Sequence, residues 1–301
     1  MEIICRFLYN KTLSLLLIKM SINNTKKKQR RIDVYTIKNY IMADSLEQAY
    51  ELKKKSRHTV IIGGNLWLKM GNRNILNAID LSALPLHQIE EDEEGFRIGC
   101  MVTLRDLETH SGLNGYFGGL FREAVKHIVG VQFRNCATVG GSVFPRFGFS
   151  DVLTAFLACD SYVELYRGGR VPVNDFVKMP LDEDILTHIY IKKDGRKVSY
   201  QSFRMTETDF PSLTCAVICR GDVWEAVIGA RPKRAALYSG EKLTCPENPE
   251  QRKQFAKNIA AMADYGTNMR GSAEYRQCLA EVLIERGIQV ISKEETEGTP
   301  C

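Results

Sequence analysis

Ile61-Ile62-Gly63-Gly64-Asn65-Leu66-Trp67 and Arg134-Asn135-Cys136-Ala137-Thr138-Val139-Gly140-Gly141-Ser142 are the two stretches on which the reading of this chain turns. Each ends a β-branched segment in Gly-Gly, and each follows the glycines with a polar residue, Asn65 or Ser142. Glycines let successive backbone N–H groups point at one spot and let a ligand approach without a Cβ in the way. A buried diphosphate needs such donors, because taking its charges out of water costs several kcal/mol per ion. A hydrogen bond to a charged group returns ~1.5–3 kcal/mol, so about four or five converging donors balance the cost. One loop rarely carries that many. Two facing loops do, with Asn65, Thr138 and Ser142 adding side-chain donors. Gly-Gly after a strand is also a common hairpin turn, and the residues alone leave both readings open.

Outward from these stretches the chain reads as mixed α and β. Asp44-Ser45-Leu46-Glu47-Gln48 carries helix-start signals, and Thr59-Val60-Ile61-Ile62 is a short strand running into the first Gly-Gly. Ile79-Asp80-Leu81 and Phe96–Cys100 are further strands, and Thr103-Leu104-Arg105-Asp106 starts a helix. Leu120 to Val129 reads as a helix closed by Gly130, and residues 163–171 as a hairpin around Gly168-Gly169. A strand over Ile185–Ile191 ends at Asp194-Gly195. Beyond it come strands at Val198–Phe203, Leu213–Cys219 and Val223–Ile228. Helices at Pro249–Tyr265 and Glu274–Arg286 follow, stopped by Gly266 and Gly287.

The 301 residues are enough for about two domains. The net charge of +5 is misleading: residues 1–33 hold eight Lys/Arg against two Asp/Glu, leaving 33 against 34 in the rest. A near-neutral body has no broad basic face for a phosphate backbone, which argues against nucleic acid. Leu15-Leu16-Leu17-Ile18 is far too short to span a bilayer, and the basic run at 26–31 follows it rather than preceding it, unlike a signal peptide. Residues 1–33 are therefore expected to be a disordered extension, with the working protein beginning near Val34. Nine cysteines without CxxC or pairing rhythm, several inside apolar stretches such as Cys215–Cys219, fit a reducing cytoplasm.

No GxGxxG, P-loop, HExxH or GxSxG is present, and the five histidines stand apart from any metal-ligand neighbour. Other candidates divide between two roles. Asp151 is either a helix N-cap or an acceptor for a ribityl or ribose hydroxyl. Trp67 is either core or a stacking surface. Arg134 either neutralises a phosphate or forms a surface ion pair, and His110 and His127 read as helix-face residues.

The run Gln132 to Ser142, followed by Ser150-Asp151, resembles the "RN-x-[AG]-T-[IV]-G-G-[NS] … SD" signature of the flavin subunits of molybdenum hydroxylases, the xanthine dehydrogenase and carbon monoxide dehydrogenase group. Ile62-Gly63-Gly64-Asn65-Leu66 is similar to that family's first FAD loop. Ile79-Asp80-Leu81, Ile98–Leu107 and Arg270–Arg276 resemble its other segments in the same order. The resemblance implies an α+β protein. A PCMH-type FAD-binding fold of two α/β subdomains over 34–195 would precede a small C-terminal α+β domain over 196–290 and a tail at 291–301. It implies FAD as cofactor, with NAD(P)+ or another acceptor taking the electrons, and no metal in this chain. The partners implied are a molybdopterin-containing large subunit and a small subunit with [2Fe–2S] clusters. Carried onto this sequence, Val60, Ile61, Ile62, Gly63, Gly64, Asn65, Leu66 and Trp67, with Thr138, Val139, Gly140, Gly141 and Ser142, would hold the diphosphate. Asp151 would bind an FAD hydroxyl, and Leu186 would lie near the isoalloxazine. The flavin carries the chemistry, so no acid or base is assigned.

The chain departs from the family pattern in places. Asn65 stands where Thr is usual, and Tyr200-Gln201-Ser202-Phe203 lacks a Lys found near the flavin in relatives. No His or Cys occurs between Val60 and Leu76, so FAD is expected to bind non-covalently. The resemblance leaves two alternatives to weigh: a free-standing flavin reductase on the same fold, and an assembly subunit without flavin.

Overall fold

Three sheets carry the chain in the computed structural model, which describes residues 35–181, 184–240 and 242–297. The extension read at 1–33 lies outside the described residues. In the first sheet β3 (Asn74–Asp80) runs parallel between β1 (Thr36–Met42) and β2 (Thr59–Ile62), and α1 (Leu46–Lys55) makes the crossover. Ser45 caps α1: its Oγ accepts from Gln48 N at 3.1 Å, while Gln48 Oε1 accepts from Asp44 N at 2.8 Å. The strand at Ile79 starts earlier than its apolar pattern indicates. Asn77 interrupts that pattern, yet its side chain accepts from Asn39 at 3.0 Å and donates to Thr59 Oγ1 at 3.1 Å, a polar rung across all three strands.

The second sheet is antiparallel, in the order β4 (Ile89–Glu91), β5 (Gly95–Gly99), β8 (Leu186–Lys192), β6 (Ser161–Leu165) and β7 (Gly169–Pro172). Between β5 and β6 the chain makes a run of short helices: α2 (Leu104–Thr109), α3 (Ser111–Tyr116), α4 (Leu120–Val125), α5 (Val131–Arg134), α6 (Val139–Val143) and α7 (Asp151–Leu157). Thr103 and Asp106 form the capping box that starts α2. His110, expected on a helix face, instead caps α3, its Nδ1 accepting from Leu113 N at 3.1 Å. The helix expected over Leu120–Val129 ends at Val125, and Val129 takes a left-handed φ of +53° that no helix accommodates. After β7, α8 (Val173–Phe176) leads back towards β8.

The third sheet is antiparallel, in the order β12 (Ala236–Ser239), β11 (Val223–Gly229), β10 (Leu213–Arg220), β9 (Lys197–Phe203). Alternate residues of β10 explain its unbroken apolar run. Leu213, Cys215 and Val217 pack with Phe255 and Ile259 of α9 (Pro249–Met262) and with Ile284 and Ile288 of α10 (Ala273–Glu297). Ala216 and Ile218 face the other way, into the core that also holds Phe121, Phe156 and Ile189. A strand buried on both faces loses the usual polar alternation. The main core therefore continues across the 195/196 division.

Gly287 does not stop α10, which runs on to Glu297, so residues 291–297 are helix rather than tail. A Cβ on Gly287 would lie 2.5 Å from Val217 Cγ2. The glycine is there because helix and strand pack too closely for a side chain.

Candidate functional site

The two Gly-Gly stretches meet. A Cβ on Gly63 would lie 2.3 Å from Thr138 Oγ1, and one on Gly64 would lie 1.7 Å from the Cys136 carbonyl oxygen. β2, through Val60, Ile61 and Ile62, delivers the first loop to this contact, and the start of α6 delivers the second. The glycines are required on packing grounds alone.

The two loops are not built alike. Gly140 and Gly141 lie in the first turn of α6 rather than in a turn ending a strand, and Thr138 is its N-cap. Their amides are already engaged. Val139 N donates to Val102 O at 2.9 Å, Gly140 N to Cys100 O at 2.8 Å, Gly141 N to Thr138 Oγ1 at 3.2 Å and Ser142 N to Thr138 O at 3.1 Å. Ser142 Oγ donates to Thr138 O as well, at 2.9 Å. These amides of the second loop thus have partners within the protein, and the loop braces the first.

In the first loop, the N–H groups of Gly63, Gly64, Asn65 and Leu66 donate to no described residue. Asn65 has a left-handed φ of +55°, and Tyr35 Oη donates to its Oδ1 at 2.8 Å. Asn tolerates that conformation where a β-branched Thr does not, which gives a physical reason for Asn65 at this position. Successive amides around a left-handed residue form a concave nest suited to an anion.

Asp151 is not a helix cap. Ser150 caps α7, its Oγ accepting from Leu153 N at 3.1 Å and donating to Ser142 O at 3.1 Å, so the starts of α6 and α7 are tied together. Asp151 follows, 5% exposed, and its Oδ1 accepts from Tyr200 Oη at 2.6 Å and from Arg204 Nη2. Burial pushes its carboxyl above the ordinary range, and the Arg204 charge and Tyr200 hydrogen bond oppose that shift. Leu186 opens β8 with its side chain in the main core. The next residue, Thr187, accepts from Cys100 N at 2.8 Å, and the Cys100 carbonyl holds Gly140. Leu186 is thus one residue from the link that joins β8 to the second loop. Burial pushes the Cys100 thiol up to about 12, which leaves it a small apolar filler there.

Trp67 is 43% exposed and belongs to an aromatic cluster, with ring centroids 5.3 Å from Phe147, 5.3 Å from Phe149 and 5.9 Å from Phe210. Arg134 takes neither role foreseen for it. It is buried, and its Nε and Nη2 donate to the Glu108 carboxylate at 2.7 and 3.1 Å. Tyr200, Arg204 and Phe210, which sequence reasoning missed, reach the site from β9 and the connection that follows it. Their partners lie 49 and 53 positions away for Tyr200 and Arg204, beyond any local pattern.

Residues 33–192 match the profile of a family described as the FAD binding domain in molybdopterin dehydrogenase. The chain belongs to that family. This FAD-binding chain is 26% identical to the nicotine 6-hydroxylase medium subunit of Paenarthrobacter nicotinovorans over 276 residues, 83% of this chain and 95% of the relative. Its fold is similar to that of quinoline 2-oxidoreductase from Pseudomonas putida 86, with a TM-score of 0.75 and 15% identity over 86% of this chain and 98% of that one. Carbon monoxide dehydrogenase from Hydrogenophaga pseudoflava is similar at a TM-score of 0.73 and 20% identity, covering 85% and 97%. The protein is thus an FAD-binding oxidoreductase subunit of the molybdenum hydroxylase family, with the α+β fold of its relatives. Among the described residues no helix is long and apolar enough to cross a membrane.

Proposed function

We propose that this chain is the electron-transfer subunit of a molybdenum hydroxylase, holding FAD non-covalently. On this reading it takes electrons from the [2Fe–2S] clusters of a small partner subunit, which receive them from a molybdopterin-containing large subunit, and passes them to NAD(P)+ or another acceptor. Bound FAD supplies the redox chemistry, and the protein supplies position and electrostatics.

The observation that carries the reading is the row of amides at Gly63–Leu66 that donate to no described residue, pressed against a second loop in which the amides of Val139 to Ser142 are engaged within the protein. Four amides, the Asn65 side chain and the Thr138 hydroxyl give about the number of donors that a buried diphosphate requires. Val60 to Trp67 form and carry the nest, and Thr138 to Ser142 hold it in place. Asp151 accepts a cofactor hydroxyl, for which its place in the first turn of α7 and its pairing with Arg204 suit it.

The test is cofactor retention. The full chain, purified, is expected to be yellow, and acid precipitation is expected to release one equivalent of FAD. Gly141→Val is expected to lose the flavin. A colourless protein that takes up no FAD on reconstitution, or a Gly141→Val variant with normal FAD content, overturns the loop assignment. Reduction of the flavin by NADH, tested beside NADPH, reads out the acceptor.

A further inference from the structure

Arg204 follows β9 directly, and its side chain is only 7% exposed. Its three donor positions meet different fates. Nη1 donates to Asp209 O at 2.7 Å, and Nη2 donates to Asp151 Oδ1. Nε is buried, and none of the described residues accepts from it. A buried donor without an acceptor is expensive, and the rigid guanidinium fork cannot turn Nε elsewhere without giving up the two bonds it makes.

The surroundings hold the group still. Asp209, from the same connection between β9 and β10, is paired with Arg270 at 2.8 Å. Phe210 packs on Phe149 at 4.7 Å and on Trp67 at 5.9 Å, so the connection is anchored to the first sheet's loop and to the start of α7. A side chain held by these two bonds, with its Nε–H aimed at none of the described residues, has a donor to offer a ligand. Its neighbour Asp151 receives both Tyr200 and Arg204 on Oδ1, which leaves Oδ2 as the oxygen to accept a hydroxyl.

We propose that Arg204 is itself a cofactor contact, its Nε–H donating to an oxygen of the ribityl chain or pyrimidine ring of FAD beside the hydroxyl held by Asp151. The inference rests on the reading of Asp151 given above, and it extends the cofactor site into the connection between β9 and β10. Arg204 then has two duties, orienting Asp151 and touching the ligand.

Arginine Nε–H resonances of the full chain, freed of FAD and then saturated with it, test this directly. The Arg204 signal, identified by its loss in Arg204→Lys, is expected to shift and to exchange more slowly with solvent once FAD is bound. If that variant does not fold, contacts to the Tyr200 ring in the wild-type protein identify the signal. Arg204→Lys keeps a positive charge beside Asp151 but lacks Nε, and it is expected to bind FAD about tenfold more weakly. An unmoved signal at saturation, or a Kd for Arg204→Lys within twofold of wild type, overturns the proposal. Asp151→Asn separates the two readings. Normal FAD affinity in that variant with a responsive Arg204 signal removes Asp151 from the site and keeps Arg204. Lost affinity with an unmoved wild-type signal does the reverse. A full chain that binds no FAD overturns both.

Discussion

Gly64 stands so near the Cys136 carbonyl that a Cβ placed on it would lie 1.7 Å from that oxygen. The contact joins two segments far apart in the chain and makes the geometry of one amide nest depend on the start of α6. Alanine at 64 must push the loops apart, and overpacking of this kind costs about 1–3 kcal/mol. Gly64→Ala is therefore expected to lower the melting temperature and to abolish FAD retention. Gly115→Ala, in α3, where a Cβ would meet nothing within 4 Å, is expected to leave both unchanged. Thermal melts and flavin content of the two variants check this.

The Glu108–Arg134 pair predicts a pH dependence of stability. Burial works against the Glu108 charge, but hydrogen bonds from Arg134 and Arg105 outweigh it and hold the carboxyl below its ordinary range. A carboxyl depressed on folding stabilises the protein above its unfolded pKa, and that contribution fades as pH falls through the folded value. Glu108→Gln leaves Arg134 buried without its counter-charge and is expected to lose about 3 kcal/mol at neutral pH. The difference from wild type should narrow below about pH 4.3, where Glu108 becomes mostly protonated in the unfolded chain. Urea unfolding of both proteins between neutral and acidic pH measures it, and a constant difference would refute the assignment.

Gly287 offers a test of packing in the third sheet. Alanine in a helix interior ordinarily gains about 1 kcal/mol over glycine. Here the sign is expected to reverse, because the new Cβ would meet Val217 Cγ2 at 2.5 Å. Val217→Ala removes the obstructing methyls, so the double variant is expected to be more stable than the two single losses sum to. A double-mutant cycle on thermal stability resolves the coupling.

Much of this protein could be read from contiguous residues. β-Branched runs, capping residues and Gly-Gly pairs act over a few positions, so β2, the start of α2, the hairpin of β6 and β7 and the strands β9, β10 and β11 are all visible in the linear chain. The family signature also lies in short contiguous segments. Where local reading failed, a distant contact had overruled a local signal. Gly287 looks like a helix stop until Val217 is brought against it, and Asn77 looks like a break until Asn39 and Thr59 satisfy it.

The site divides along the same line. Glycine chemistry and the polar residues beside it are local properties, and they mark Gly63–Asn65 and Thr138–Ser142 without any fold. Which amides remain free for a ligand depends on where every other donor finds its acceptor. Cys100 and Val102 take the amides of the second loop, Glu108 takes Arg134, and Tyr200 and Arg204 converge on Asp151. Hydrogen-bond partners are assigned by packing across sheets, and no periodicity along the chain encodes them.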